Sequence, residues 1–114
     1  MKISSSEQDG VTVLSIEGVI RVGESAQEFS ERLATLLEAG SDPVLLDLSA
    51  IDYVDSTGLG ELVGHLQRFD EAGRRLALLN PQERILALLR LTRLDEIFRI
   101  FAHRDEAIAR LRRA

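Results

Sequence analysis

The residues best suited to chemistry in this chain are Val54-Asp55-Ser56-Thr57-Gly58-Leu59-Gly60. They follow the hydrophobic run Val44-Leu45-Leu46-Asp47-Leu48 and lead into the helical stripe Leu59, Leu62, Val63, Leu66, Phe69. The Ser56 hydroxyl is therefore expected where a strand gives way to a helix, the edge at which open α/β sheets carry their sites. Asp55 and Ser56 are both good N-cap residues, and a hydroxyl there lies at the positive end of the helix dipole. Two glycines early in a helix each cost up to about 1 kcal/mol against alanine. Stability alone would not select Gly58 and Gly60, whereas close approach of another backbone would. The chemistry suggested is that of a hydroxyl presented to a docking protein.

Other chemistries find less support. A nucleophilic serine at a strand-to-helix elbow wants Gly-x-Ser-x-Gly, but position 54 is Val. A triad also needs a histidine, and only His65 and His103 exist. At 1.5 Å per residue His65 lies about 13 Å along the helix from Ser56, too far to serve it. Asp47, Asp52 and Asp55 could in principle supply oxygen ligands to Mg²⁺, but loop-amide, turn and capping roles suit them better, and no metal is expected. No Gly-x-x-x-x-Gly-Lys loop occurs and Lys2 is the only lysine, which argues against independent nucleotide hydrolysis. Cysteine is absent, which excludes disulfides, thiolate metal sites and thiol nucleophiles.

The elements that must position this segment can be read from hydrophobic period and punctuation. Asp9-Gly10 is a tight-turn dipeptide between Ile3–Gln8 and the β-branched run Val11–Ile16. Ser25-Ala26-Gln27-Glu28 has the form of a capping box, followed by Phe29, Leu33, Leu36 and Leu37 on one helical face, with Gly40 in a C′ position. After the motif helix, which stops at Gly73, come a buried strand Leu76–Leu79 and a helix led by Asn80 as N-cap, Pro81 at N1 and Glu83 at N3. A short strand within Ile97–Phe101 and a last helix from about Arg104 complete the order. Alternation of this kind implies right-handed crossovers and a mostly parallel or mixed sheet.

The chain has 114 residues, enough for a single α/β domain over 1–114. With 45% apolar and 29% charged residues it has ordinary globular composition. Residues 1–61 carry 12 acids against 3 bases, a net −9, and residues 62–114 carry 7 against 11, a net +4. The arginines are spread over several elements without interleaved aromatics, so no nucleic acid is expected. The longest apolar run, Ile85–Leu89, falls far short of the roughly 18 residues of a membrane span, and the first residues do not form a secretory signal. A soluble, cytoplasmic protein without membrane insertion is the expectation.

Val54–Gly60 resembles the phosphorylation-site motif of STAS domains, specifically of the bacterial anti-sigma factor antagonists. The resemblance extends over essentially the whole chain, from the opening hairpin to the final helix. It implies a single STAS-like domain: a mixed sheet with an N-terminal hairpin and about four helices. It also implies that Ser56 is the phosphoacceptor of a partner that is both anti-sigma factor and serine kinase. Asp55, Ser56, Thr57, Gly58, Leu59 and Gly60 would then form the partner-binding segment. A metal-dependent serine phosphatase would restore the hydroxyl, and the unphosphorylated form would bind the anti-sigma factor and free the sigma factor. No enzyme activity and no cofactor are implied. Many antagonists carry a Gly-hydrophobic-Asp pattern after the second strand, where this chain reads Gly18-Val19-Ile20-Arg21-Val22-Gly23. The alternative role is a STAS scaffold or subunit in a stress-sensing assembly or at a membrane transporter's cytoplasmic face.

Overall fold

Asp9 and Gly10, both at positive φ (52° and 80°), turn the chain between β1 (Lys2–Gln8) and β2 (Val11–Ile20). Positive φ at both central residues is what a two-residue hairpin with the right twist requires, and β1 and β2 pair antiparallel with Gln8 opposite Val11. In this computed structural model, which describes residues 1–113, the chain then alternates helix and strand. The order is α1 (Glu24–Ala39), β3 (Val44–Val54), α2 (Ser56–Glu71), β4 (Leu76–Leu79), α3 (Glu83–Leu91), a 3-10 turn (Leu94–Glu96), β5 (Arg99–Phe101) and α4 (Arg104–Arg112). The five strands lie in sequence order, with β2 to β5 mutually parallel. This is the expected mixed sheet with an N-terminal hairpin and four helices.

Sequential order with one crossover hand places every connecting helix on the same side. The main core accordingly lies between that face and α1, α2 and α3, around Leu14, Ile16, Phe29, Leu33, Leu46, Leu66, Phe69, Leu78 and Leu89. Only α4 covers the other face, setting Ala107, Ile108 and Leu111 on Val11, Val13, Leu45, Ala77 and Leu79. Central strands covered on both sides read as continuous apolar runs, which is why Val44–Leu46 and Leu76–Leu79 are wholly buried.

Several local expectations need correction. The N-cap of α1 is Gly23, not Ser25, and it has a backbone only glycine adopts readily (φ 105°, ψ −140°). The Ser25 hydroxyl turns to the preceding loop, accepting from the Arg21 N–H (2.9 Å) and donating to the Arg21 carbonyl (3.1 Å). The residue before α3 is Gln82, without a side-chain cap, while Asn80 takes left-handed φ 48°. Gln82 instead donates through Nε2 to the Ser49 carbonyl at 3.0 Å. Gly40 is extended (φ −156°) and forms no left-handed cap. Asp52 belongs to β3, not to a turn, because that strand continues to Val54 alongside β2, with register shifts near Ser15/Glu17 and Gly18/Val19.

Candidate functional site

The end of β3 and the start of α2 are joined by one residue, Asp55, which is the N-cap of α2 in extended conformation. Its carboxylate is divided between two elements. Oδ1 accepts from the Gly58 N–H at 2.8 Å, closing the first turn of α2. Oδ2 accepts from the Val22 N–H at 2.8 Å, fixing the β2–α1 loop. The Asp55 N–H itself donates to the Ile20 carbonyl at 3.1 Å, extending the β2–β3 pairing to the site. These amide donors favour the anion, the Gly58 bond most and the Val22 bond next, and hold the Asp55 carboxyl below the usual carboxylate range.

Ser56 is therefore N1 of α2, and it is exposed together with Thr57 and Gly60. Asp55 and Leu59 are half-buried, Leu59 packing on the main core, and Gly58 is fully covered. A Cβ at Gly58 would stand 2.8 Å from the Ile20 carbonyl oxygen, 2.8 Å from Val54 Cγ1 and 2.9 Å from Ile20 Cγ2. The backbone that approaches Gly58 thus belongs to β2 of the same chain, which corrects the expectation that both glycines face a docking surface. At Gly60 a Cβ would meet nothing within 4 Å, so Gly60 alone leaves its space to an incoming molecule.

Two further exposed side chains stand on the segments that meet at Asp55. Val22, at the tip of the loop held by Asp55, is 71% exposed, and Tyr53, two residues before Asp55, is 47% exposed. Val22 stands isolated between Arg21 and Gly23, and Tyr53 lies between Asp52 and Val54 at the end of the strand. Both add exposed apolar area on the segments that lead to Asp55.

His65 and Asp47 are engaged with groups other than Ser56. His65 is completely buried, and its Nε2 shares a hydrogen with Ser30 Oγ of α1 at 2.9 Å, with Glu61 at 3.9 Å. Burial, and then the Arg68 charge, draw its pKa below the ordinary histidine value. Asp47 spends Oδ1 on the Ser49 N–H and hydroxyl (3.0 and 2.7 Å). Among the described residues no group of three or more acidic or histidine side chains is placed to hold a metal ion. No helix of the described residues is long and apolar enough to cross a membrane.

The site is thus a helix N-terminus at the edge of a mixed sheet that presents a hydroxyl on an open surface. The STAS domain family profile matches residues 2–107, and the chain belongs to that family. The anti-sigma-B factor antagonist of Bacillus subtilis is 36% identical over 84 residues, 74% of this chain and 76% of that protein. Its counterpart in Staphylococcus aureus is 27% identical over 88% of this chain and 92% of that one. The crystal structure of a candidate anti-sigma factor antagonist from Thermotoga maritima matches with a TM-score of 0.90 at 29% identity, covering 97% and 95% of the two chains.

Proposed function

We propose that the protein is an anti-sigma factor antagonist working by partner switching, with Ser56 as its phosphoacceptor. The unphosphorylated surface around Ser56, Thr57, Gly60, Val22 and Tyr53 binds an anti-sigma factor that is also a serine kinase. The kinase transfers the γ-phosphoryl of ATP to Ser56 Oγ: the bond from phosphorus to the ADP oxygen breaks, the bond to Oγ forms, and the hydroxyl proton leaves to a kinase base. A metal-dependent serine phosphatase hydrolyses the ester and restores the binding form.

The observation that carries this reading is the exposed Ser56 hydroxyl at N1 of α2, directly after an Asp55 carboxylate fixed by two amides. Phosphate adds about −1.5 to −2 of charge. Two unit charges 4 Å apart interact by about 1 kcal/mol in bulk water and about 4 kcal/mol at a surface-like dielectric. The helix N-terminus returns about 0.3–1 kcal/mol of this within the free chain. The fold therefore tolerates the phosphate, while an apolar interface without spare cations does not.

Binding of the purified chain to its anti-sigma kinase, measured by calorimetry, tests the proposal. Ser56→Ala should bind as the native chain does and accept no phosphate. Ser56→Asp should bind more weakly, though better than the phosphorylated protein, because it adds one charge instead of nearly two. Equal affinity of phosphorylated and unphosphorylated chains would refute the switch.

A further inference from the structure

Four stretches of chain meet at the amino edge of the sheet, the end of β3 opposite Ser56. They are the Asp9–Gly10 turn, the α1–β3 and α2–β4 connections, and the end of α4. Between them lies an open cavity of about 340 Å³, within the size range of small-ligand clefts, about 300–1,000 Å³. Arg74, Arg75, Arg112 and Arg113 line it, and among the described residues Asp9 is the one acid on its wall. Four guanidinium groups against one carboxylate is an unusual balance on a chain whose net charge is −5.

Two of these groups are fixed by the fold. Arg74 is buried over the Phe69 ring, 4.9 Å from its centroid. Its Nε and Nη2 donate to the Asp42 carbonyl (3.0 and 2.6 Å), and its Nη1 to the Leu36 carbonyl at 2.7 Å. Arg75 Nη1 donates to the Leu111 carbonyl at 2.9 Å and to the Arg113 carbonyl, which ties the end of α4 to the rim. Carbonyls satisfy such donors but do not cancel a full charge. The ion pairs among the described residues are His65–Glu61 and Arg93–Glu96, so none of the four arginines has a carboxylate partner within 4 Å. Burial draws the Arg74 pKa below the ordinary arginine value, and the Asp42 charge offsets this only in part. The carboxyl ends of α1, α2 and α4 each contribute about half a negative charge. With Asp9 added, more than one positive charge on this wall stays uncompensated.

We propose that this cavity binds a small phosphate-type oxyanion of two or more charges, with inorganic diphosphate as its simplest form. Guanidinium forks meet such oxygens two at a time. Arg74 and Arg75, held by carbonyls, supply fixed charge, while Arg112 and Arg113 are exposed at the end of α4 and close on the anion. Gly10 and Gly73, at positive φ (80° and 71°), stand on the same rim, and a Cβ at either would meet nothing within 4 Å, so the mouth is open. Among the described residues no aromatic side chain lines the cavity. A nucleobase would therefore find nothing to stack on, and the phosphate oxygens carry the affinity. The cavity lies about 30 Å from Ser56 along β3, at 3.3 Å per residue, and does not depend on the role of that residue.

Titration calorimetry of the full chain with inorganic diphosphate, in a buffer free of phosphate, is the test, with circular dichroism confirming that each variant is folded. The native chain should bind one diphosphate with a Kd below about 1 mM, and more weakly as salt is raised. Arg112→Gln combined with Arg113→Gln should weaken binding at least about tenfold. Arg99→Gln combined with Arg110→Gln removes the same charge from exposed positions off the cavity wall, and should change the Kd by less than about twofold. ADP should bind no tighter than inorganic diphosphate. No binding up to about 1 mM, or equal weakening by the two pairs of substitutions, overturns the proposal. ADP binding about tenfold tighter than diphosphate overturns the ligand class.

Discussion

Gly58→Ala and Gly60→Ala, two residues apart on one helix, should shift stability in opposite directions. At Gly58 the new methyl would lie 2.8 Å from the Ile20 carbonyl oxygen and 2.8 Å from Val54 Cγ1. The carbonyl cannot yield easily, because it accepts the Asp55 N–H that joins β2 to the site. Overpacking of this kind costs about 1–3 kcal/mol, and helix propensity returns at most about 1 kcal/mol. With three contacts under 3.0 Å, one of them to backbone, the cost lies in the upper part of that range, about 2–3 kcal/mol, and a net loss of about 1–2 kcal/mol follows, lowering Tm by roughly 4–8 °C for a chain of this size. At Gly60 the methyl meets nothing, so Ala should gain up to about 1 kcal/mol while weakening kinase binding or phosphorylation. Urea unfolding with a common m-value measures both changes. A Gly58→Ala chain as stable as the native one would refute the reasoning, because the approach of β2 to α2 would then not need the missing Cβ. A stabilised Gly60→Ala chain with unchanged binding would show that Gly60 is no approach device.

Asp55→Ala should cost about 1–2 kcal/mol as a lost N-cap and should raise amide exchange at both Gly58 and Val22; protection retained at Val22 would show that the loop does not depend on Asp55. The Asp55 pKa is depressed in the folded chain from an ordinary value of 3.8, so its contribution is present above pH 3.8 and lost as pH falls through the folded value. His65 is likewise depressed from 6.5, but as a base: stability is full above pH 6.5 and falls below it, because the unfolded chain takes up the proton first. His65→Gln should flatten that slope in a pH series of urea melts, and an unchanged slope would place the titration elsewhere. Phosphorylation should act locally, with amide shifts confined to α2's first turns and the 21–23 loop. Raising salt should recover part of the lost affinity, since exposed repulsion is screened over about 8–10 Å; shifts spread through Val44–Leu48 and Leu76–Leu79 would favour a conformational switch.

The hairpin, the alternation and the capping role of Asp55 were legible because each rests on residues adjacent in sequence. What escaped depends on chain returning from a distance. His65 lies on the apolar stripe with Leu62, Leu66 and Phe69, so its burial was readable, but its partner Ser30 is on another helix. Arg74 is 8% exposed and stacks on Phe69, donating to the Leu36, Leu37 and Asp42 carbonyls at the end of α1. Nothing beside Arg74 in the sequence announces a helix 35 residues earlier that lacks a basic last turn. The capping box at Ser25 failed because Gly23 could begin the helix two residues sooner in a conformation serine would not adopt. Gly58 and Gly60 look alike in sequence, and only the position of Ile20 tells the internal approach from the open one.

Phosphate mapping decides whether the Ser56 hydroxyl is the switch. The intact chain is incubated with Mg·ATP and its anti-sigma kinase, digested, and the phosphate located by fragment mass. One phosphate per chain is expected, on Ser56, and none on a Ser56→Ala chain that still binds the kinase. Phosphate on Thr57 or Ser49 with Ser56 unmodified would contradict it.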